Sequence, residues 1–252
     1  METTPVQDVE IAKWDALAGA PVTDANLRVA HADFGAFTRQ DSTMRGIDEF
    51  MGDLRDREVL ELGNGMGEMT TLLAKSGARV TAVDISPAST AVARRRAQLH
   101  GVDDSIEFVV AAGEELPLDA GRFEIAVGKA VLHHLDATRA ASELHRVLRP
   151  GGRAAFAEPL GTNPVVAFAR DHLPYPGKNP RGADVPLSYA DIAAWERPFS
   201  HAEHEEVQLL EMIERALGLR APPALRRADE WLLGRFQALR RLCRYVVIKM
   251  IK

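Results

Sequence analysis

Cysteine is nearly absent. The 252-residue chain has one, Cys243, which excludes an internal disulfide framework and any zinc site built from several thiolates. A reducing, cytoplasmic setting is therefore the expectation. Long apolar runs are missing as well: no stretch is long enough to span a bilayer, and residues 1–20 lack the apolar core of a signal peptide. Their acidic character also speaks against an organelle transit peptide. Positive charge is in deficit, with a net charge of −5, so wholesale binding of a phosphate backbone is not expected. What remains is 46% apolar and 27% charged residues, an ordinary globular composition. This length suits one α/β domain with an appended segment, or two small domains.

The charge is uneven. Residues 220–252 hold nine Lys/Arg against two Asp/Glu, in a chain that is acidic overall. Apolar residues Leu225, Ala228, Trp231, Leu232, Phe236, Leu239 and Leu242 recur there at helical spacing. A basic amphipathic helix of this kind either packs on its own domain with its arginines in water or makes a weak contact with an anionic membrane surface.

Three helical stretches are expected at 6–18, 24–38 and 42–54, before the periodicity changes. Short apolar runs at 58–62, 79–84, 106–110, 123–127 and 153–158 then alternate with helical patterns at 68–76, 86–99 and 137–148, the last closed by Pro150-Gly151-Gly152. That alternation means a parallel sheet of right-handed βαβ units. Residues 159–200 contain seven prolines and read as a shaped lid with short helices at 163–171 and 188–196. Residues 205–210 fit a strand or the start of a helix reaching 217, and the β-branched run 244–251 is a last strand. Four regions follow: an N-terminal helical cap (1–54), a core (55–158), the lid insertion (159–200) and a completion of the sheet (201–252).

The informative segment is Val59-Leu60-Glu61-Leu62-Gly63-Asn64-Gly65-Met66-Gly67-Glu68. Glycines at 63, 65 and 67, after a strand and before a helix, let the backbone pass close to a ligand. A dinucleotide fingerprint needs its third glycine where Glu68 stands, and a carboxylate in that first helical turn faces a pyrophosphate badly. The spacing disfavours NAD and suits a ligand without phosphates. Asp84, at the end of the second strand, is placed to accept both hydroxyls of a ribose.

Together with Val80–Ser86, Glu114-Glu115-Leu116-Pro117-Leu118, Phe123–Val127, Leu132-His133-His134-Leu135 and Glu143-Leu144-His145-Arg146-Val147-Leu148-Arg149-Pro150-Gly151-Gly152, this segment resembles the class I S-adenosylmethionine-dependent methyltransferases. The likeness is to the branch with small-molecule and quinone methyltransferases, and it covers roughly residues 55–160. It implies a Rossmann-like, doubly wound, mostly parallel sheet of seven strands. It also implies S-adenosylmethionine as cofactor and S-adenosylhomocysteine as product. By the same resemblance Glu61, Gly63, Asn64 and Gly65 line the methionine part, Asp84 holds the ribose and Ile85 packs on the adenine. Ala112, Gly113 and Glu114 meet the adenine edge, and Lys129 and Ala130 close the floor. The family usually has an acid where Ala112 stands, so Glu114 or backbone groups are expected to substitute. Asn64 replaces a common cysteine.

Methyl transfer from a sulfonium needs alignment and exclusion of water more than activation. An amine acceptor has only to be unprotonated, whereas an alcohol or carbon acid needs a general base. His133 and His134, after the fourth strand, and Glu158, ending the fifth, are the candidate bases. His172, Tyr175 and Tyr189 lie on the proline-rich segment, and His31 and Trp14 on the N-terminal helices. His100 and His145 are expected at the surface. His201-x-x-His204-Glu205 reads as a solvated turn, and no metal site is expected. The acceptor is expected to be a small hydrophobic or natural-product-like molecule, with no nucleic acid partner, and the chain a monomer or homodimer. Rival readings are a nucleic-acid or protein methyltransferase docking through the basic tail, a lipid or quinone methyltransferase at a membrane surface, and non-methylating or partner-protein use of the fold.

Overall fold

Strands that read as continuous apolar runs must be covered on both faces, and the sheet here is covered so. The structure, a computed structural model, describes residues 4–19, 22–172, 185–213 and 222–252. Tyr175, and the question of a helix reaching 217, lie outside the described residues.

Seven strands form one sheet: β1 (Glu58–Leu62), β2 (Arg79–Asp84), β3 (Ile106–Val110), β4 (Phe123–Lys129), β5 (Leu148–Pro159), β6 (His201–Val207) and β7 (Tyr245–Ile251). Their order is β3-β2-β1-β4-β5-β7-β6, with β7 antiparallel to both β5 and β6 and the other pairs parallel. The expected doubly wound α/β sheet is the observed one. Its strand order reverses between β1 and β4, and a crevice at such a reversal is where open α/β sheets bind ligands.

Alternation sends the side chains to two cores. Leu60, Leu62, Ala154 and Phe156 join a layer with α7 (Ala137–Val147) and α9 (Tyr189–Glu196). Val59, Ala155 and Ala157 face the opposite layer of α4 (Ile47–Met51) and α5 (Glu68–Lys75), which α6 (Pro87–Leu99) joins through Ala97. The parallel pairs bring the ends of β1, β2, β4 and β5 to one edge of the sheet.

Several sequence expectations are corrected. The stretch 24–38 is two helices, α2 (Asp24–Leu27) and α3 (Phe34–Gln40), because Asp33 caps a new helix by accepting from Ala36 N. Of the three N-terminal stretches only α1 (Pro5–Ala18) matches its expected span closely. The stretch 42–54 is a 3₁₀ turn at Ser42–Met44 and the short α4, bounded by Gly46 and Gly52 at positive φ. Pro150-Gly151-Gly152 does not close the helix before it: β5 starts at Leu148, and Gly151 N donates to Lys252 O. Residues 201–205 are an edge strand, not a turn; its alternating polar residues are outward positions, the pattern of a half-covered strand. Of the lid's two helices, α8 (Pro164–His172) agrees with expectation. The other, α9, belongs to the core, with Trp195 wholly buried beside Phe156. The tail is α10 (Pro223–Arg235) followed by a 3₁₀ turn at Gln237–Leu242, because Phe236 leaves the helical region at φ −129°, ψ 87°.

Candidate functional site

At the β1–β4 crevice, β1 runs into the glycine turn, whose Gly63 and Asn64 amides donate to Val83 O of β2 at 2.8 and 3.1 Å. Gly63 and Gly67 leave no room for a side chain: a Cβ on Gly63, at φ +74°, would sit 2.6 Å from Val131 Cγ2. A Cβ on Gly67, at φ +78°, would sit 2.6 Å from Ala93 Cβ, so the residue lets α6 pack against the turn. One on Gly65 meets nothing within 4 Å, which leaves its backbone face open. Buried Arg96 fixes the turn from behind, donating to Met66 O and, at 3.1 and 3.0 Å, to Asn26 O and Leu27 O.

A cavity of about 240 Å³ opens in front of the turn. Leu62, Gly63, Gly65, Asp84 and Ile85 form one side, and Ala111, Gly113, Lys129, Ala130, Val131, His134 and Leu135 the other. Gln7, Glu10 and Trp14 of α1 complete the wall. Asp84 accepts from Gly65 N at 2.7 Å and from Ser86 N at 2.9 Å, while burial pushes its carboxyl above the usual range. Ala130 stands at φ +54°, held by its amide on Ala157 O at 2.8 Å. Lys129 is ion-paired with Asp41.

Glu61 is wholly buried one residue before Leu62, and its Oε2 has no hydrogen-bond partner; nor has Oδ1 of buried Asn64. Burial pushes the Glu61 carboxyl up to about 8, and the nearby Asp84 charge adds to the rise. Neither Glu61 nor Asn64 lines the cavity; both are buried in the turn whose Leu62, Gly63 and Gly65 do. The Glu61 shift also sets a stability trend. Between about pH 4.5 and pH 8 the folded state binds a proton that the unfolded state has lost, so stability falls as pH rises through that window. Glu61→Gln is expected to flatten the decline in melting temperature between about pH 5 and pH 8; an unchanged slope refutes the assignment.

The three candidate bases separate. Glu158, wholly buried, accepts from Val131 N (2.8 Å) and Leu132 N (3.0 Å) through Oε1 and binds His133 Nδ1 (2.7 Å) through Oε2. Both oxygens are committed to shaping the loop after β4, and neither Glu158 nor His133 lines the cavity. In this geometry the pair positions the loop. His134 alone of the three is on the wall, with Nδ1 3.5 Å from Glu10 Oε1 and its ring 3.9 Å from that of His133.

Other sites move too. Ala112 is buried outside the cavity lining, and Glu114 is turned away, accepting from Gln7 Nε2 at 3.2 Å and Asp136 N at 3.0 Å. Glu114 is therefore not the substitute for the missing acid. Tyr189 donates to Glu206 of β6 rather than reaching over the cavity. His172 is exposed on α8 and stacks on Phe168. His31 lies between α2 and α3, beside Phe37. His100 and His145 are half-buried rather than surface groups; the first holds Val29 N at 3.2 Å, the second packs edge-on to Phe199. Among the described residues no group of His, Cys, Asp and Glu is arranged to hold a metal ion.

Sequence reasoning missed Gln7, Glu10 and Asp15. Asp15 accepts from Ser86 Oγ at 2.5 Å and Ala88 N at 3.3 Å, docking α1 on the start of α6. The capping box of Thr4 and Gln7 signals where α1 begins, but nothing local signals where it docks.

Residues 60–156 match the family model described as "Methyltransferase domain". That segment of the chain is similar to a methyltransferase domain. A demethylmenaquinone methyltransferase of Clavibacter sepedonicus is 35% identical over 132 residues, 52% of this chain and 51% of that protein. The chain spans about half the length, or less, of the curated relatives it matches. Among solved structures, the geranyl diphosphate C-methyltransferase from Streptomyces coelicolor A3(2) aligns over 99% of this chain and 98% of its own, with TM-score 0.65 and 17% identity. The [4+2]-cyclase SpnF aligns over 100% and 98% with TM-score 0.62 and 18% identity. At such identities these neighbours speak for the methyltransferase-domain fold alone. The family match takes in both sides of the cavity, whereas Gln7, Glu10 and Trp14 of the α1 wall lie outside it.

Proposed function

We propose that the chain is an S-adenosylmethionine-dependent methyltransferase acting on an O, N or C atom of a small, hydrophobic acceptor, with a cytoplasmic location. The observation that carries this reading is that Asp84 and the open Gly65 backbone line one crevice, with the unpartnered oxygens of Glu61 and Asn64 buried in the turn beside it. Asp84 would take the ribose hydroxyls, and Glu61 and Asn64 the donors of the methionine end. Ile85, Ala111 and Leu135 would hold the adenine between apolar walls. With no acid at Ala112 and Glu114 turned away, adenine's polar edge would meet backbone groups of 111–113. The bound cofactor supplies a methyl group activated by its sulfonium. The printed activity of a curated relative, C-methylation in ubiquinone and menaquinone biosynthesis, supports an apolar acceptor.

His134 is the residue we assign to accept the acceptor's proton, because it alone of the candidate bases reaches the cavity. His134→Ala is expected to lower kcat about 10²- to 10⁴-fold for an alcohol or carbon acid while leaving S-adenosylhomocysteine affinity nearly unchanged. His133→Ala instead strips a partner from buried Glu158 and is expected to cost about 3 kcal/mol of stability. Equal turnover in wild type and His134→Ala would overturn the base assignment. Because the fold is shared with a cyclase, transfer of label from methyl-labelled cofactor to an acceptor is the deciding experiment.

A further inference from the structure

The C-terminal segment is bolted to the domain on one face and bare on the other. On the inner face, buried Asp229 of α10 accepts from the amides of Leu209, Leu210 and Glu211 at 3.0, 2.7 and 3.1 Å. Leu233 packs with Leu209 and Cys243, and Arg226 reaches Glu211 at 3.2 Å. Outside, Trp231 is 65% exposed and Phe236 47% exposed. Their rings meet edge-on at 6.1 Å, and the Arg235 guanidinium lies over Phe236 at 5.5 Å. Arg227 and Arg235, one helical turn before and after Trp231, are exposed as well, as is Arg241. The exposed acid nearby, Glu230, pairs with Arg45 at 3.8 Å.

The neighbouring helix extends this surface. Thr162 and Asn163, before α8, donate to Arg241 O and Leu242 O at 2.8 and 2.5 Å, and α8 exposes Val165 (72%) and Phe168 (59%). Because β7 is antiparallel to β5, Tyr245 pairs with Pro159, so this surface lies at the same sheet edge as the cavity. It also adjoins the segment that carries Asp41, the partner of Lys129, since Arg226 donates to Arg39 O at 3.4 Å.

Exposed aromatic side chains flanked by arginines on a rigid, docked helix match the chemistry of a lipid–water interface. The rings enter the acyl boundary, and the guanidinium groups meet anionic headgroups. We propose that the α8–α10 surface docks the protein on an anionic phospholipid bilayer, turning the cavity edge toward the membrane. A second copy of the chain is the competing occupant, but it would place Arg227, Arg235 and Arg241 against the same charges. The inference goes beyond methyl transfer and does not depend on it, because docking is read without cofactor or acceptor.

The test is co-sedimentation of the full chain with vesicles of phosphatidylcholine containing phosphatidylserine, against phosphatidylcholine alone, with tryptophan emission followed in parallel. Binding to the anionic vesicles with a blue shift, reversed by high salt, is expected. Arg227→Gln/Arg235→Gln should lower the partition coefficient roughly thirty-fold, from about 1 kcal/mol per arginine near the surface. Trp231→Ser/Phe236→Ser should lower it at least roughly tenfold. Both variants should melt as wild type and bind S-adenosylhomocysteine as wild type does, which separates this outcome from failure of the methyltransferase reading. No anionic preference, equal binding by either variant, or a dimer in light scattering that the aromatic variant abolishes, overturns the proposal.

Discussion

Asp84→Ala is expected to abolish binding of S-adenosylhomocysteine while the protein stays folded. The carboxylate stands at the end of β2 on the cavity wall, with its oxygens on the amides of Gly65 and Ser86. It therefore does two things: it fixes the glycine turn against the start of α6, and it presents charge where ribose hydroxyls would arrive. Removing it leaves two amides to find water, at a cost of about 1–3 kcal/mol, which a domain of ordinary stability survives. Losing the hydroxyl acceptor and the shape of the turn together is enough to erase micromolar-scale affinity, on the order of 8 kcal/mol. Asp84→Asn separates the two roles, because its amide oxygen still accepts from one backbone amide. Calorimetric titration of wild type and both variants, with NAD as control, reads the result. Tight binding by Asp84→Ala would remove the ribose assignment, and NAD binding would overturn the reading of the glycine spacing.

Deleting residues 224–252 should unfold the chain. The deletion takes away β7, which lies between β5 and β6 and forms a seven-residue register with each. Val246, Val247, Ile248 and Met250 are wholly buried, Val247 in one core layer and the other three in the opposite one. At a few kcal/mol per large buried side chain, their loss comes to about 10 kcal/mol, comparable with the whole stability of a typical domain. β6 would also lose its sole neighbour in the sheet. Loss of the cooperative urea transition and of near-ultraviolet dichroism is the expected outcome. A truncated chain that stays folded and binds S-adenosylhomocysteine would show the tail to be a detachable element, contrary to the buried anchor at Asp229.

Much of the site was legible because it is built from consecutive residues. Glycines at 63, 65 and 67 between a strand and a helix report backbone conformation directly, since only glycine takes those φ values without strain. The acid at Asp84 follows at the end of the next strand. The basic tail and its apolar period were equally plain, although Phe236 ends the α-helix about two turns before Leu242 for a reason of backbone geometry.

The roles of individual polar groups were not legible, because a side chain's chemistry depends on which partners folding gives it. Glu158 reads from sequence as an acid at the active edge; in three dimensions the amides of Val131 and Leu132 and the ring of His133 consume both its oxygens. Glu114 is drawn away by Gln7 and Asp136. Gln7, Glu10 and Trp14 reach the cavity because Asp15 docks α1 on α6, a contact between residues some seventy positions apart. His201–Val207 is polar enough to pass for a turn and becomes a strand because β7 offers it an edge. The sequence by itself determined the βαβ order, the glycine turn and the acid after it, since each is a pattern of neighbours along the chain. Only the tertiary structure decided that His134 alone among the candidate bases reaches the cavity, that α1 forms its third wall, and that the basic tail is held fast with its aromatic side chains outward. Those outcomes depend on long-range packing, where burial and pairing assign each polar group its one partner.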